Sequence, residues 1–390
     1  MVRNLDMKNF ILIIFFYFTI FPVFAETKIP KYFYKNELPQ CILKYGLEEI
    51  SINNPVVRDK IEELIGFDWI KYHDKNSNSL TVKHDKISNP IMYLNSSIHN
   101  AVIKNNLNEI KTGIEVLYKI AEKNTLLKTP TVSEIKQLGS RCYGGNNNPN
   151  AKCDWHKPQW VMIIAAHYII ASNYSKDFMS KEQKDGINSY IEILYKRYIF
   201  PWANKEGGKG YNEMANGKIA SIAYANWNDN YQLAELSFKK GFNEIDNHFR
   251  NDGYINNNSF RGSRALWYHS MGLNNALGLI ALSESWGVTV PKKVLTKVTN
   301  SAKVLNLGIT NYKKFKSKQS FGKNYNSSTN SKTARKHTHQ NAIGIDFLMS
   351  KYLNINLSND YEWFKKKQKF HNDIMIGFDS NCLFVSKLFK

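Results

Sequence analysis

The sequence predicts an all-α protein in which helix pairs curl round a cleft. Apolar residues recur at spacings of three and four through most of the chain. The central part shows no convincing alternation of the kind a strand needs. Amphipathic stretches follow one another through links of varied length, with no visible sequence repeat. The chain has 390 residues and 43% apolar content, enough for a real core. One contiguous domain over 26–390 is expected.

The first element is not part of that domain. Arg3 and Lys8 make a basic end, and Ile11 to Phe21 is an apolar run too short to span a membrane comfortably. Val23-Phe24-Ala25 puts small residues at the −3 and −1 sites of a cleavage point. Residues 1–25 therefore read as a secretory signal peptide, and the mature protein as periplasmic or secreted.

Residues 26–50 are mixed and hold Pro30 and Pro39; 54–66 read as a short helix. Residues 70–91, with His73, His84 and Pro90, read as a long loop able to cover a cleft. Over 96–122, Leu107, Ile110, Ile114, Leu117 and Ile120 mark one helical face, and Thr129-Pro130 breaks the pattern. A short helix then leads to Arg141. Residues 157–172 are apolar enough for a buried helix. Ser180 and Gln183 have capping-box spacing, Ile187, Ile191, Leu194 and Tyr198 carry the next helix, and Pro201 ends it. Residues 204–217 read as a Gly-rich loop, 218–238 as one helix and 241–250 as another. A helix runs to about Ser285, and Pro291 starts one over 292–308. Residues 311–337 hold Lys313, Lys314, Lys316, Lys318, Lys323, Lys332, Arg335 and Lys336. They read as a flexible basic insertion, or as a rim that holds a polyanion. Residues 338–353 are helical again.

The formal net charge of +20 implies an anionic partner. Losing the signal peptide removes only Arg3, Lys8 and Asp6, so the mature chain stays strongly basic. An exported chain without a nucleic-acid motif points to acidic polysaccharide rather than nucleic acid, and to no membrane once the signal is cut. A monomer is expected. Of the four cysteines, Cys41, Cys142, Cys153 and Cys382, the pair Cys142 and Cys153 flanks a short Gly- and Asn-rich loop and is the expected disulfide. No CxxC or HExxH spacing occurs, so neither a metal nor a cofactor is expected.

The stretch Arg261-Gly262-Ser263-Arg264-Ala265-Leu266-Trp267-Tyr268-His269 is the candidate for chemistry. Read as one helix, Arg261 and Tyr268 are seven apart and share a face, with Arg264 between them. A phenol beside fixed positive charge gives up its proton more readily, which suits acid–base work. The spacing equally fits a helix start with two solvated arginines and a core tyrosine.

This stretch, preceded by Asp252-Gly253, resembles the alginate (mannuronate) lyases with an α/α-barrel fold. The resemblance is strong over 252–282 and extends more weakly over 100–290. It implies a toroid of helical hairpins around a substrate cleft, with Arg261 and Tyr268 catalytic. A second family segment, Asn-Asn-His-like, matches Ala225-Asn226-Trp227-Asn228-Asp229. Asn226 then takes the catalytic Asn position and Trp227 stands where the His would be. A shifted alignment uses Asn228 and Asp229, and neither keeps the His. Arg264, Trp227, His269, Arg141 and Trp160 are candidate substrate contacts, and His156, His337 and His339 weaker ones.

The implied reaction is β-elimination from a 1,4-linked uronate polymer. Asn226 and Arg261 neutralise the carboxylate on C5, and Tyr268 acts as base and then acid. The missing His favours syn elimination, as on mannuronate or glucuronate linkages. Two rivals stand beside it. A glycoside hydrolase of the same architecture needs two carboxylates, for which Asp229 and Asp252 are available. A non-catalytic module that binds acidic polysaccharide needs none.

Overall fold

A computed structural model describes residues 50–67, 85–139, 142, 147–153, 158–205, 210–261, 264–317 and 354. The readings for 1–25, Cys41, Cys382, Arg141, His156, 318–337, His337, His339 and 338–353 lie outside these residues.

The described chain is all-α. Its helices are α1 Pro55–Ile65, α2 Asp85–Ile103, α3 Leu107–Glu122, α4 Val132–Gln137, α5 Pro158–Ser175 and α6 Lys181–Leu194. They continue as α7 Phe200–Ala203, α8 Tyr211–Trp227, α9 Tyr231–His248, α10 Ala265–Ser285, α11 Lys292–Thr310 and α12 Tyr312–Ser317. A π-helical turn, Tyr195–Ile199, joins α6 to α7. Extended pairing among the described residues is limited to isolated bridges, Thr131 with Lys152 and Phe249 with Ile255.

Two kinds of helix alternate. In α2, α5, α8 and α10 nearly every described side chain is buried, whichever way it points. In α3, α6, α9 and α11 one apolar stripe is buried and the other face is wet, as Ile110, Ile114, Leu117 and Ile120 show for α3. The all-round helices pack on one another in succession, α2 on α5, α5 on α8 and α8 on α10. The striped helices lie against them: α3 on α2 and α5, α6 on α5, α9 on α8 and α11 on α10. The result is an interior series with an amphipathic backing. A helix buried on every face needs neighbours on both sides, and here it buries polar residues such as Asn100, Asn216 and Lys218 as well as apolar ones. One core of buried residues continues from Ile50 to Phe315.

Caps fix most boundaries. Asn54 accepts from the amide of Val56 with Pro55 at the first turn. Thr131 with Glu134, and Ser180 with Gln183, form reciprocal capping boxes, each contributing about 1 kcal/mol. Cys142 and Cys153 are joined by a disulfide, closing a sequence separation of 11. Closing so short a loop contributes about 2–3 kcal/mol in the chain-entropy account.

Several expected boundaries shift. The loop read over 70–91 gives way to helix at Asp85, because Ile87, Ile91, Leu94 and Ile98 are buried at helical spacing and Pro90 is carried inside the helix. The helix read over 96–122 is two helices, broken where Asn105 takes φ 54° and Asn106 caps α3. Pro201 opens α7 rather than ending its predecessor. The Gly-rich loop read over 204–217 is helical from Tyr211. Gly217 serves a close approach, since a Cβ there would stand 2.8 Å from the carbonyl carbon of Trp202. The helix read over 218–238 breaks at Asn228–Asn230, where Asp229 takes φ 52° and Asn230 caps α9. The helix read over 241–250 is the continuation of α9.

Candidate active site

The candidate catalytic stretch begins outside its helix. Arg261 precedes α10, and a turn closed by the amide of Arg264 on the carbonyl of Arg261, 3.1 Å, leads into it. Arg261 and Tyr268 meet nevertheless, with the guanidinium Cζ 4.2 Å from the ring centroid. Two like pairs adjoin them. Arg264 lies 6.0 Å from the ring of Trp267, and Arg250 lies 5.4 Å from that of Phe260. The rings of Trp267 and Tyr268 are 4.9 Å apart. Tyr268, Trp267, Phe260 and Arg261 are half-buried, and Arg264 and Arg250 are exposed. Helix α12 packs beneath through a hydrogen bond from Tyr254 Oη to the carbonyl of Phe315, 3.2 Å, and exposes Lys313 and Lys314. This end of the molecule is therefore strongly positive.

Asparagine amides tie the backbone of this stretch to α8. Asn258 Nδ2 donates to the carbonyl of Tyr268 at 2.9 Å and to Asn212 Oδ1 at 3.0 Å. Asn275 Nδ2 donates to the same Asn212 oxygen at 3.3 Å. With its oxygen held by two NH2 groups, Asn212 must turn its own NH2 elsewhere. That group is a spare donor among the described residues. Gly272 makes the room, since a Cβ there would stand 2.6 Å from Asn258 Nδ2. One turn along α8, Asn216 is buried with neither amide atom partnered. Tyr211, beside Asn212, is a different phenol from Tyr268. It is fully buried, and burial, aided by the charge of Glu244, pushes its pKa well above the ordinary range. Its neighbours are the His248 ring at 6.0 Å and, through His248, Glu244 at 3.3 Å.

Asn226 is not with this group. It ends α8, fourteen residues beyond Asn212, which is about 21 Å along a helix. There its Nδ2 donates to Asn173 Oδ1 at 3.0 Å. Trp227 is also removed from the candidate contacts. It is buried, and its indole N–H donates to Asn188 Oδ1 at 2.8 Å. Lys176 and Asp229, 2.8 Å apart, close that opposite end. His269 points into the core, between Ser259 Oγ at 2.8 Å and the carbonyl of Ser301 at 2.9 Å. Burial lowers its pKa to about 4, against the upward pull of the Ser301 bond. Trp160 is half-buried in the first turn of α5 and packs on the core. Asp229 and Asp252 stand beyond opposite ends of α9, whose 18 residues span about 27 Å. They do not flank one bond.

Asn212 was missed because its segment looked like loop. The available signal was the pair Asn212 and Asn216, four apart and flanked by Ala215 and Gly217, small residues that suit close helix packing. Among the described residues no three His, Cys, Asp or Glu side chains gather to hold a metal ion. Compared with known proteins, the chain matches no family model and no curated sequence.

Proposed function

We propose that the protein is an exported polysaccharide lyase that cleaves a 1,4-linked uronate polymer by β-elimination. The observation that carries this reading is the Arg261–Tyr268 stack, on a backbone that Asn258 ties to the amide of Asn212 through the main-chain carbonyl of Tyr268. A base, a cation and an oriented neutral donor are what the chemistry requires.

The C5 proton of a uronate is weakly acidic, and its removal sends charge onto the adjacent carboxylate. Arg261 and the NH2 of Asn212 neutralise that charge through hydrogen bonds in a partly dry site. Asn212 thus takes the role that the sequence reading gave to Asn226. The Tyr268 oxygen, reacting as phenolate, accepts the C5 proton, the C4–C5 double bond forms, and the C4–O4 bond breaks. The phenol so formed returns that proton to O4. Glu213, not histidine, follows Asn212 in the chain. With His269 engaged in the core, one group serves as base and acid. This favours syn elimination, as on mannuronate or glucuronate linkages.

The interior series α2, α5, α8 and α10, backed by α3, α6, α9 and α11, supports an α/α toroid in which one end of the inner helices forms the cleft. The cations at that end suit a polyanion. The test uses purified protein with polymannuronate, polyguluronate and glucuronan separately, following the ultraviolet absorbance of unsaturated uronate. A rise with one polymer is expected. New reducing ends without absorbance would mean hydrolysis instead.

A further inference from the structure

The Arg261–Tyr268 centre does not stand alone. Phe260 is the chain neighbour of Arg261 and carries Arg250. The Trp267 ring lies against that of Tyr268 and carries Arg264. Each pair offers the same two features, a partly exposed ring and a guanidinium stacked over one of its faces. A uronate residue also has two features, an apolar C–H face and a carboxylate. The ring suits the face, and the guanidinium fork suits the carboxylate. A polymer repeats these features at every residue, and the protein repeats their complement three times within residues 250–268.

We propose that the three pairs form one continuous row of anionic-sugar subsites, in which Arg250 with Phe260 binds the uronate flanking the residue at Arg261 and Tyr268. The inference rests on the uronate reading above and extends it to the number and direction of the bound residues. Arg250 already meets one acid, since its Nη2 lies 2.8 Å from Asp252 Oδ2. A guanidinium has five N–H donors, so others remain for a ligand. Asp252 also accepts from the amide of Tyr254 at 3.2 Å, which fixes the turn that presents Arg250. Its charge opposes an incoming carboxylate. Asp252→Asn keeps an acceptor for that amide and removes the charge, so it should tighten binding while Arg250→Ala weakens it. Opposite signs from adjacent residues separate a subsite from mere loss of structure.

The experiment titrates the full protein with polymannuronate, polyguluronate and glucuronan, and with oligomers of the bound polymer from two to four residues, by quenching of tryptophan emission. Dextran is the neutral control. Unchanged far-ultraviolet dichroism and unfolding midpoint check each variant. Arg250→Ala is expected to weaken binding about tenfold, the effect of losing one charged hydrogen-bonded contact. It should also flatten the salt dependence and abolish the gain in affinity on lengthening the oligomer. Arg250→Lys restores only part, and Phe260→Ala loses affinity without changing the salt slope. Wild-type affinity in Arg250→Ala and Phe260→Ala overturns the row and leaves the lyase reading intact. Binding by the row without any rise in absorbance overturns the lyase reading and leaves the row. No binding of any of the three polymers overturns both.

Discussion

The guanidinium of Arg261 rests on the ring of Tyr268, 4.2 Å from its centroid, although Arg261 precedes the helix that carries Tyr268. The cation holds the ring by its face, so the phenol oxygen is not used up by the contact. Tyr268→Phe keeps the ring and removes only that oxygen. Turnover is expected to fall by a factor of about 10²–10⁴, the range for losing one general acid–base group. Polymer affinity should stay near wild type. Absorbance assays beside a binding titration check both halves, and a fully active Phe variant removes Tyr268 from the chemistry.

Asn212 and Asn226 occupy opposite ends of α8, and substitution should separate them. Asn212→Ala removes a donor aimed by Asn258 and Asn275, and should lower kcat about 10²–10³-fold, as for other oriented oxyanion donors. Asn226→Ala breaks its bond to Asn173 and costs about 1 kcal/mol of stability, with kcat unchanged. Kinetics and urea unfolding on the two variants read this directly. The reverse pattern would return the catalytic amide to Asn226.

The all-α class, the capping box at Ser180 and the helix ending near Ser285 were legible because each rests on local spacing. The site was legible only in part. Arg261 and Tyr268 are seven apart and joined through a short turn, so their meeting is a local event. Asn212 reaches Tyr268 through Asn258, across separations of 46 and 10 residues, and no local pattern encodes that. The asparagine-rich segment at 226–230 drew attention instead, yet Asp229 and Asn230 are there to turn the chain between α8 and α9. His269 shows the same limit. Its place beside Tyr268 in sequence says nothing of the 32-residue separation to Ser301, which fixes it in the core.

His269 should make the fold acid-sensitive. Its pKa lies at about 4 in the folded chain against 6.5 ordinarily, because burial disfavours the cation. The unfolded chain therefore takes up the proton first as pH falls. The contribution of His269 is complete above pH 6.5 and is lost progressively towards pH 4, on the order of 3 kcal/mol in all. Urea unfolding at pH 7, 5.5 and 4.5 measures it. His269→Gln should be less stable than wild type at pH 7 and should lose less on acidification. Parallel losses in the two proteins would assign the acid sensitivity to other groups.

Asn274 lies fully buried beside Asn275, with neither amide atom hydrogen-bonded to any described residue. A buried amide without partners costs about 1–3 kcal/mol, and leucine keeps the same branched skeleton of side-chain heavy atoms with bulkier tips. Asn274→Leu should therefore raise stability by about 1–2 kcal/mol in urea unfolding at pH 7. The catalytic consequence runs the other way if the amide holds water next to the Asn212 network, because a bound water needs such polar partners. A more stable but slower variant ties Asn274 to the floor of the site. A destabilised Asn274→Leu together with a destabilised Asn274→Ala, which adds no bulk, shows instead that ordered water already satisfies the amide and that the polar interior of α10 is a structural requirement of the fold.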